Sequence, residues 1–151
     1  MIGTKNSFIP IKSAESITNI IFRIPKDSYM SRVIHFEIPS DNPEKATEFY
    51  QKVFGWKINQ WNDAPYWLCN TGDASEPGIN GAIMKRNSPD QPFLNTISVE
   101  NLDETIKTIQ AHGGVVVSPK RVIEQVGWVA FFKDLDGNIL GLIEPDEKAN
   151  P

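Results

Sequence analysis

The chain has 151 residues, of which 40% are hydrophobic and 10% aromatic, and this is enough for one well-buried domain. Its formal net charge of −4 argues against nucleic acid or an anionic membrane as the partner, because both favour basic surfaces. The single cysteine, Cys69, excludes an intrachain disulfide, and no apolar run reaches the length of a membrane span. We therefore expect a cytoplasmic protein.

Residues 1–30 are predicted to form an N-terminal extension, because their apolar residues are scattered without a clear period. Within the extension, residues 17–24 are apolar enough for one strand or a short helix. They contain Arg23 and lack a small-residue cleavage site behind them, which argues against a signal peptide. Residues 147–151 are expected to be a tail.

An internal repeat fills the remainder of the chain. A shift of 59 positions places "IHFEIPSDNPEKATEFYQKVFG" over "FLNTISVENLDETIKTIQAHGG" without gaps. Each copy begins with an alternating apolar segment, residues 33–38 and residues 93–99, which predicts a strand. A helix follows in each copy, with an asparagine and acidic residues at its start. Gly55 and Gly114 are predicted to end these helices as C-caps.

Three strand-like runs follow each predicted helix. They are "WKINQW", "PYWLCN" and "INGAIMKR" in the first copy, and "VVVSPKRVI", "GWVAFFKD" and "NILGLIEP" in the second. We expect a break at Pro119 and a hairpin turn at Asp136-Gly137. The fold class is therefore α+β, with tandem β-α-β-β-β modules at residues 31–88 and 89–146 forming one domain at 31–146. Their sheets are expected to pair around a cup, which is the default ligand site.

These segments resemble a known family. The pattern "H-x-x-I-P…FY…VFGW" in the first copy and "D-x-D-G-N-I-x-G-L-x-E-P" near the end is similar to the vicinal oxygen chelate superfamily. This superfamily includes glyoxalase I, bleomycin-resistance proteins and extradiol dioxygenases. Within it, the sequence most resembles the small bacterial glyoxalase-related proteins. The resemblance covers residues 31–145. It implies the double-module fold and is much less specific for the chemistry.

The resemblance also implies where a metal would bind. In metal-binding members, two His or His/Gln and two Glu project from the first and last strands of the modules. The first histidine corresponds to His35, its repeat mate is Leu94, and the two acids fall on Gly81 and Gly141, give or take one residue. Leucine and glycine side chains cannot bind a metal. With His35 as the only retained ligand position, a divalent metal is disfavoured and no other cofactor is expected.

Strand alternation defines the candidate catalytic residues. Alternate residues of a strand share one face, so Glu37 points with His35 and Thr96 points with Leu94. His35 and Glu37 form an acid/base pair, two ligands of an altered metal site, or only a buried polar contact.

The ligand-binding candidates are Trp67, Trp128, Thr96 and Leu94, which we expect to line the cup. An aromatic, apolar cup with one imidazole and one carboxylate suits a small organic molecule with a flat or hydrophobic part. Cys69 is expected to be a small buried residue rather than a nucleophile. His112 is expected at the end of a helix, where a cation is favourable.

Two functions remain open. One is a glyoxalase-related lyase or isomerase that moves a proton next to a carbonyl, with His35 or Glu37 as the base. The other is a module that binds a small molecule without chemistry, as bleomycin-resistance relatives do. The lost metal ligands favour binding, and the retained pair favours an enzyme. We also expect a homodimer, because sheet edges are rarely left bare, with residues 1–30 contributing to its contacts.

Overall fold

The computed structural model describes residues 30–151, so the predicted extension, apart from its last residue, lies outside the described residues. The described chain is α+β. Module one contains β1 (Arg32–Ser40), α1 (Pro43–Phe54), β2 (Lys57–Gln60), β3 (Tyr66–Asn70) and β4 (Asn80–Lys85). Module two contains β5 (Leu94–Ser98), α2 (Leu102–Ala111), β6 (Val115–Val116), β7 (Arg121–Ile123), β8 (Gly127–Lys133) and β9 (Ile139–Pro145).

The nine strands form one mixed sheet with the order β2-β3-β4-β1-β5-β9-β8-β6, and β7 pairs with β8 beside this path. Within each module the first strand pairs in parallel with the last one, β1 with β4 and β5 with β9. The two first strands, β1 and β5, pair antiparallel and join the modules at the middle of the sheet. The predicted fold class and the predicted repeat of β-α-β-β-β modules are therefore confirmed.

The helices begin as the sequence predicts. The side chain of Asn42 accepts a hydrogen bond of 3.0 Å from the backbone N–H of Lys45, and Asn101 accepts one of 2.9 Å from Glu104. These bonds satisfy backbone donors that the first turn of a helix leaves free. Helix α1 ends at Gly55, which has a left-handed backbone with φ of 71°.

The end of α2 differs by one residue from the prediction. The left-handed residue is Gly113, with φ of 90°, rather than Gly114. The N–H of Gly114 donates to the carbonyl of Ile109 at 2.9 Å, and that of Gly113 donates to Gln110 at 3.2 Å. This is a Schellman arrangement, in which the left-handed residue comes directly before the donor of the bond that spans five residues, here Gly114 to Ile109. Two consecutive glycines allow either position, so the pattern alone does not decide.

The predicted loop features are confirmed in module two. The break at Pro119 falls between β6 and β7. The hairpin turn joins β8 to β9, where Gly137 has φ of 85° and the carboxylate of Asp134 accepts from the backbone of Asp136 at 2.9 Å. The tail is tied to the domain, since Ala149 is 2% exposed and accepts a hydrogen bond from Gln125. Neither helix within 30–151 combines the length and apolar character needed to cross a membrane.

Both helices pack on the same side of the sheet, each over its own module. Two core clusters lie beneath them, centred on Phe36, Ile58, Cys69 and Ile83 in module one and on Val99, Leu102, Ala130 and Leu142 in module two. We call this the helix side of the sheet. The opposite side, which carries His35, Glu37, Leu94 and Thr96, is called the open face.

Candidate functional site

Three hydrogen-bonded polar side chains lie at the centre of the open face. His35 and Glu37 alternate on β1, and Tyr66 reaches them from β3. The Tyr66 hydroxyl lies 2.7 Å from Nε2 of His35 and donates to Oε1 of Glu37 at 2.7 Å. Because the hydroxyl gives its one proton to Glu37, it accepts from an Nε2–H of His35. We call these residues the polar trio.

Burial decides the charge of each member of the polar trio. It lowers the pKa of His35 to about 4, so the imidazole is neutral near pH 7. It raises the pKa of Glu37, while the Tyr66 hydrogen bond and the charge of Arg121 act in the opposite direction. Burial and the neighbouring Glu37 also raise the pKa of Tyr66, which therefore stays a phenol. These states agree with the direction of the hydrogen bonds.

Two atoms of the polar trio have no hydrogen-bond partner, and they differ in access. Nδ1 of His35 is buried without a partner, and in residues 30–151 it shares this property only with Thr47 Oγ1. Oε2 of Glu37 makes no hydrogen bond to any described residue and is not among the buried unpartnered atoms. A molecule on the open face therefore reaches Oε2 of Glu37, whereas Nδ1 of His35 is sealed.

The open face continues from the polar trio into module two along one row of the sheet. His35 pairs with Thr96 on β5, Thr96 with Gly141 on β9, and Gly141 with Phe131 on β8. A Cβ atom on Gly141 would lie 2.7 Å from Thr96 Oγ1 and 3.4 Å from the Phe131 ring. The Thr96 side chain therefore already occupies the space above Gly141, and a larger residue at this position would force the threonine to shift.

Arg121 stands at the far end of this row. It pairs with Val129, two residues before Phe131 on β8, and its guanidinium carbon lies 5.2 Å from the centre of the Phe131 ring. Its charge also lowers the pKa of Glu37, so it acts on the polar trio from the opposite side to Tyr66. The site is therefore built by both modules.

Thr96 and Leu94 occupy the predicted face. Thr96 pairs with His35 and Leu94 pairs with Glu37 across the β1–β5 junction. Strand alternation on two directly paired strands is sufficient to place them.

The two tryptophans lie on the other side, and the prediction that they face the cup is wrong. Trp67 packs against the core cluster of module one, and Trp128 packs against that of module two. The Nζ of Lys120 lies 5.1 Å from the centre of the Trp128 ring. The physical reason is strand alternation, because the open-face positions of β3 and β8 belong to Tyr66 and Phe131, at odd spacing from the tryptophans.

Gly81 also lies on the helix side rather than at a ligand position. It pairs with Phe36, and a Cβ atom there would come within 2.4 Å of the Phe36 ring. Its neighbour Ala82 pairs with Glu37 and takes the open-face position. Ala82 and Gly141 both lack a side-chain donor, so the shift by one residue does not restore an acid.

The residues present do not fit the divalent metal that the family resemblance implies. Within residues 30–151, no group of three or more His, Cys, Asp or Glu side chains is placed to hold an ion. Nε2 of His35 is occupied by the Tyr66 hydroxyl, and Nδ1 is buried. A metal site needs several free donors around an open position, and only Glu37 Oε2 is accessible here.

Cys69 and His112 have structural surroundings. Cys69 is 2% exposed, and burial raises the pKa of its thiol to about 11, which disfavours the reactive thiolate. His112 is exposed at the end of α2, where its Nδ1–H donates to the carbonyl of Thr108 at 2.8 Å. Neither residue belongs to the open face.

Sequence reasoning did not single out Tyr66 and Arg121. One signal for Tyr66 exists, since a half-buried tyrosine hydroxyl needs a hydrogen-bond partner, and the partners available near a first strand were His35 and Glu37. Arg121 lies in a three-residue strand after Pro119, where the pattern is too short to define a face.

Comparison with known proteins adds a family and a set of similar folds. The family model described as Glyoxalase/Bleomycin resistance protein/Dioxygenase superfamily matches residues 32–142. No curated protein sequence matches the chain.

Solved structures resemble the fold at low sequence identity. A hypothetical protein from Bacillus halodurans C-125 has 13% identity and a TM-score of 0.60, with 82% of this chain and 100% of that chain covered. Methylmalonyl-CoA epimerase from Mycobacterium tuberculosis has 17% identity and a TM-score of 0.58, with 76% and 87% covered. A Streptomyces coelicolor methylmalonyl-CoA epimerase in complex with 2-nitronate-propionyl-CoA has 14% identity and a TM-score of 0.60, with 82% and 100% covered. At these identities the likeness concerns the fold alone.

Proposed function

Because the chain belongs to the Glyoxalase/Bleomycin resistance protein/Dioxygenase superfamily, we propose that it binds a small organic molecule on the open face without a metal. One observation carries this proposal, namely the Tyr66 hydroxyl held between His35 and Glu37 at 2.7 Å from each. The arrangement uses the histidine nitrogen that a metal would need and leaves one carboxylate oxygen free for a ligand.

The open face combines apolar contact area with a few fixed polar groups. Leu94, beside Glu37, and Phe131, further along the sheet, supply apolar surface on the open face. Oε2 of Glu37 is an acceptor that a hydroxyl or N–H of the ligand can meet. Such a mixture is typical of small-molecule sites, where apolar burial drives binding and a few polar groups fix the orientation.

A second candidate function is proton transfer next to a carbonyl, with Glu37 as the base. Burial raises the pKa of Glu37 towards the range in which a carboxylate accepts a proton efficiently. Tyr66 holds Oε1, so Oε2 is presented in a fixed direction. Of the two bases that the sequence suggests, the geometry favours Glu37, because Nε2 of His35 already donates to Tyr66 and Nδ1 is buried.

A ligand screen tests the binding proposal. Small organic compounds are screened by thermal shift, and hits are mapped by amide chemical-shift changes on isotope-labelled protein. We expect the hits to change the amide chemical shifts of Thr96 and Gly141. The substitution Glu37→Gln should weaken their binding affinity by about tenfold, which corresponds to about 1.4 kcal/mol. Glu48→Gln is the matched control, because Glu48 is exposed on α1 and pairs with Lys52. Hits that map only to the helix side would contradict the proposal.

An exchange experiment separates the second candidate from simple binding. Carbonyl compounds found as hits are incubated with the protein in D₂O, and loss of the proton next to the carbonyl is followed by NMR. Exchange that disappears in Glu37→Gln and persists in Glu48→Gln supports proton transfer. Binding without exchange supports a binding protein.

A further inference from the structure

One charged side chain on the open face has no role in the binding proposal. Arg121 is exposed, and the ion pairs in the described part of the chain join Lys52 to Glu48, Arg86 to Asp41 and Lys120 to Asp103. No hydrogen bond from the Arg121 guanidinium to another described residue is formed either. A guanidinium carries five N–H donors, and those of Arg121 are therefore available to a ligand.

This guanidinium lies over an aromatic ring of the open face. Its carbon lies 5.2 Å from the centre of the Phe131 ring, a distance at which the ring face attracts a cation. Phe131 is itself held, because its backbone N–H donates to Ser118 Oγ at 3.0 Å and it pairs with Gly141. A guanidinium that lies over an aromatic ring keeps its N–H groups free, and two of them can meet the two oxygens of a carboxylate.

From this arrangement we infer that Arg121 and Phe131 form an anion-binding half of the open-face site, and that the ligand is a small organic carboxylic acid. The carboxylate meets the edge of the guanidinium. The apolar body of the acid lies across the row of Thr96 and Gly141. A hydroxyl or N–H at its other end donates to Oε2 of Glu37. This inference rests on the proposed function and adds the chemical class of the ligand.

The experiment compares acids with neutral amides of the same shape. Benzoate and 4-hydroxybenzoate are titrated against benzamide and 4-hydroxybenzamide by calorimetry, with amide chemical shifts of Thr96 and Gly141 locating the site. We expect the acids to bind at least about tenfold more tightly, and Arg121→Gln to remove this preference. Arg121→Lys keeps the charge without the planar edge and should give an intermediate affinity. Lys57→Gln, at an exposed cation of β2, is the control and should leave the acids within about twofold.

Each result decides a definite point. A preference for the acids over the amides that is lost in Arg121→Gln supports the inference. Amides that bind as tightly as the acids at Thr96 and Gly141 would overturn the inference and leave the binding proposal standing. Acids that bind equally to wild type and Arg121→Gln would also overturn it. If none of the four compounds binds below about 10 mM, the inference fails, and the wider screen decides the binding proposal by itself.

Discussion

The hydroxyl of Tyr66 donates a hydrogen bond of 2.7 Å to Oε1 of Glu37, although β4 lies between the strands that carry these two residues. The bond settles two properties of the site. It leaves Oε2 of Glu37 as the accessible oxygen, and it makes the hydroxyl an acceptor for the Nε2–H of His35. A single phenol thus orients both titratable residues of β1.

Removal of this hydroxyl should destabilise the protein. Tyr66→Phe leaves the Glu37 carboxylate and His35 Nε2 without their partner in a desolvated position, which costs about 1–3 kcal/mol. Urea denaturation measures the loss. Tyr50→Phe is the matched control, because Tyr50 stacks on Trp56 at 4.9 Å and its hydroxyl makes no hydrogen bond to a described residue. Equal decreases in the free energy of unfolding of the two variants would show that the hydrogen bonds of the polar trio do not stabilise the fold.

Acidification should weaken the fold through His35. The folded-state pKa of about 4 lies below the value of 6.5 expected in the unfolded chain, so the unfolded chain takes up the proton first. The stability is therefore complete above pH 6.5 and is lost as the pH falls to about 4, by on the order of 3 kcal/mol.

The contribution of His35 is isolated by comparing the wild type with His35→Gln at several pH values. The free energy of unfolding of the wild type should fall more steeply towards pH 4 than that of the variant. Burial raises the pKa of Glu37, so protonation of Glu37 favours the folded state and has the opposite sign. Because both proteins retain Glu37, its contribution cancels in the comparison. Parallel curves would contradict the assignment.

We predict that the purified protein holds no stoichiometric divalent metal. Leu94, Ala82 and Gly141 offer no side-chain donor at the open-face positions, and His35 donates to Tyr66. Elemental analysis after mild dialysis is the measurement, and EDTA should leave the melting temperature unchanged. About one Zn, Ni, Fe or Mn per chain would instead point to an altered site that uses His35 and Glu37.

A ligand on the open face should change tryptophan fluorescence through Trp61. Its ring packs edge-on against Tyr66 with centroids 6.0 Å apart, whereas Trp67 and Trp128 lie on the helix side. We expect Trp61→Phe to abolish the ligand-induced change in emission and Trp67→Phe to retain it. A response that survives in Trp61→Phe would place the ligand elsewhere.

We propose that the full chain is a homodimer, with residues 1–30 taking part in its contacts. Strand β6 ends one side of the sheet, and its Val115 is 57% exposed. An apolar residue at a sheet edge favours association with another chain. Light scattering should give a dimer for the full chain and a weaker one for a chain that starts at Met30. A full-length monomer at micromolar concentration would exclude the dimer, and equal dimerisation of both chains would exclude a role for the extension.

Much of the fold follows from the sequence because the determinants are local. Asn42 and Asn101 cap helices through bonds to residues three positions away, and Gly55 allows a left-handed backbone at the helix end. The break at Pro119 arises from the missing N–H of proline. These features need no knowledge of the rest of the chain.

The site was harder to predict because its contacts cross several strands. Alternation on β1 places His35 with Glu37, but the strand containing Tyr66, Trp67 and Cys69 is apolar on both faces. The helix side and the open face both accept such residues, so no local pattern tells which of them faces the ligand. Arg121 meets Phe131 only because β7 and β8 pair, and a three-residue strand carries no register signal of its own.

The antiparallel junction of β1 and β5 has a consequence for stereochemistry. His35 lies opposite Thr96, and the repeat mate of His35, Leu94, lies opposite Glu37, so an approximate twofold axis passes through the junction. If the open face had this symmetry throughout, it would bind a molecule equally well in either of two opposed directions. The polar trio on one side and the Arg121 cation on the other remove that equivalence, and the bound molecule has one direction. With the surface of the sheet at Thr96 and Gly141 as a third point of contact, mirror-image molecules cannot present the same groups to all three, so the protein should discriminate between enantiomers.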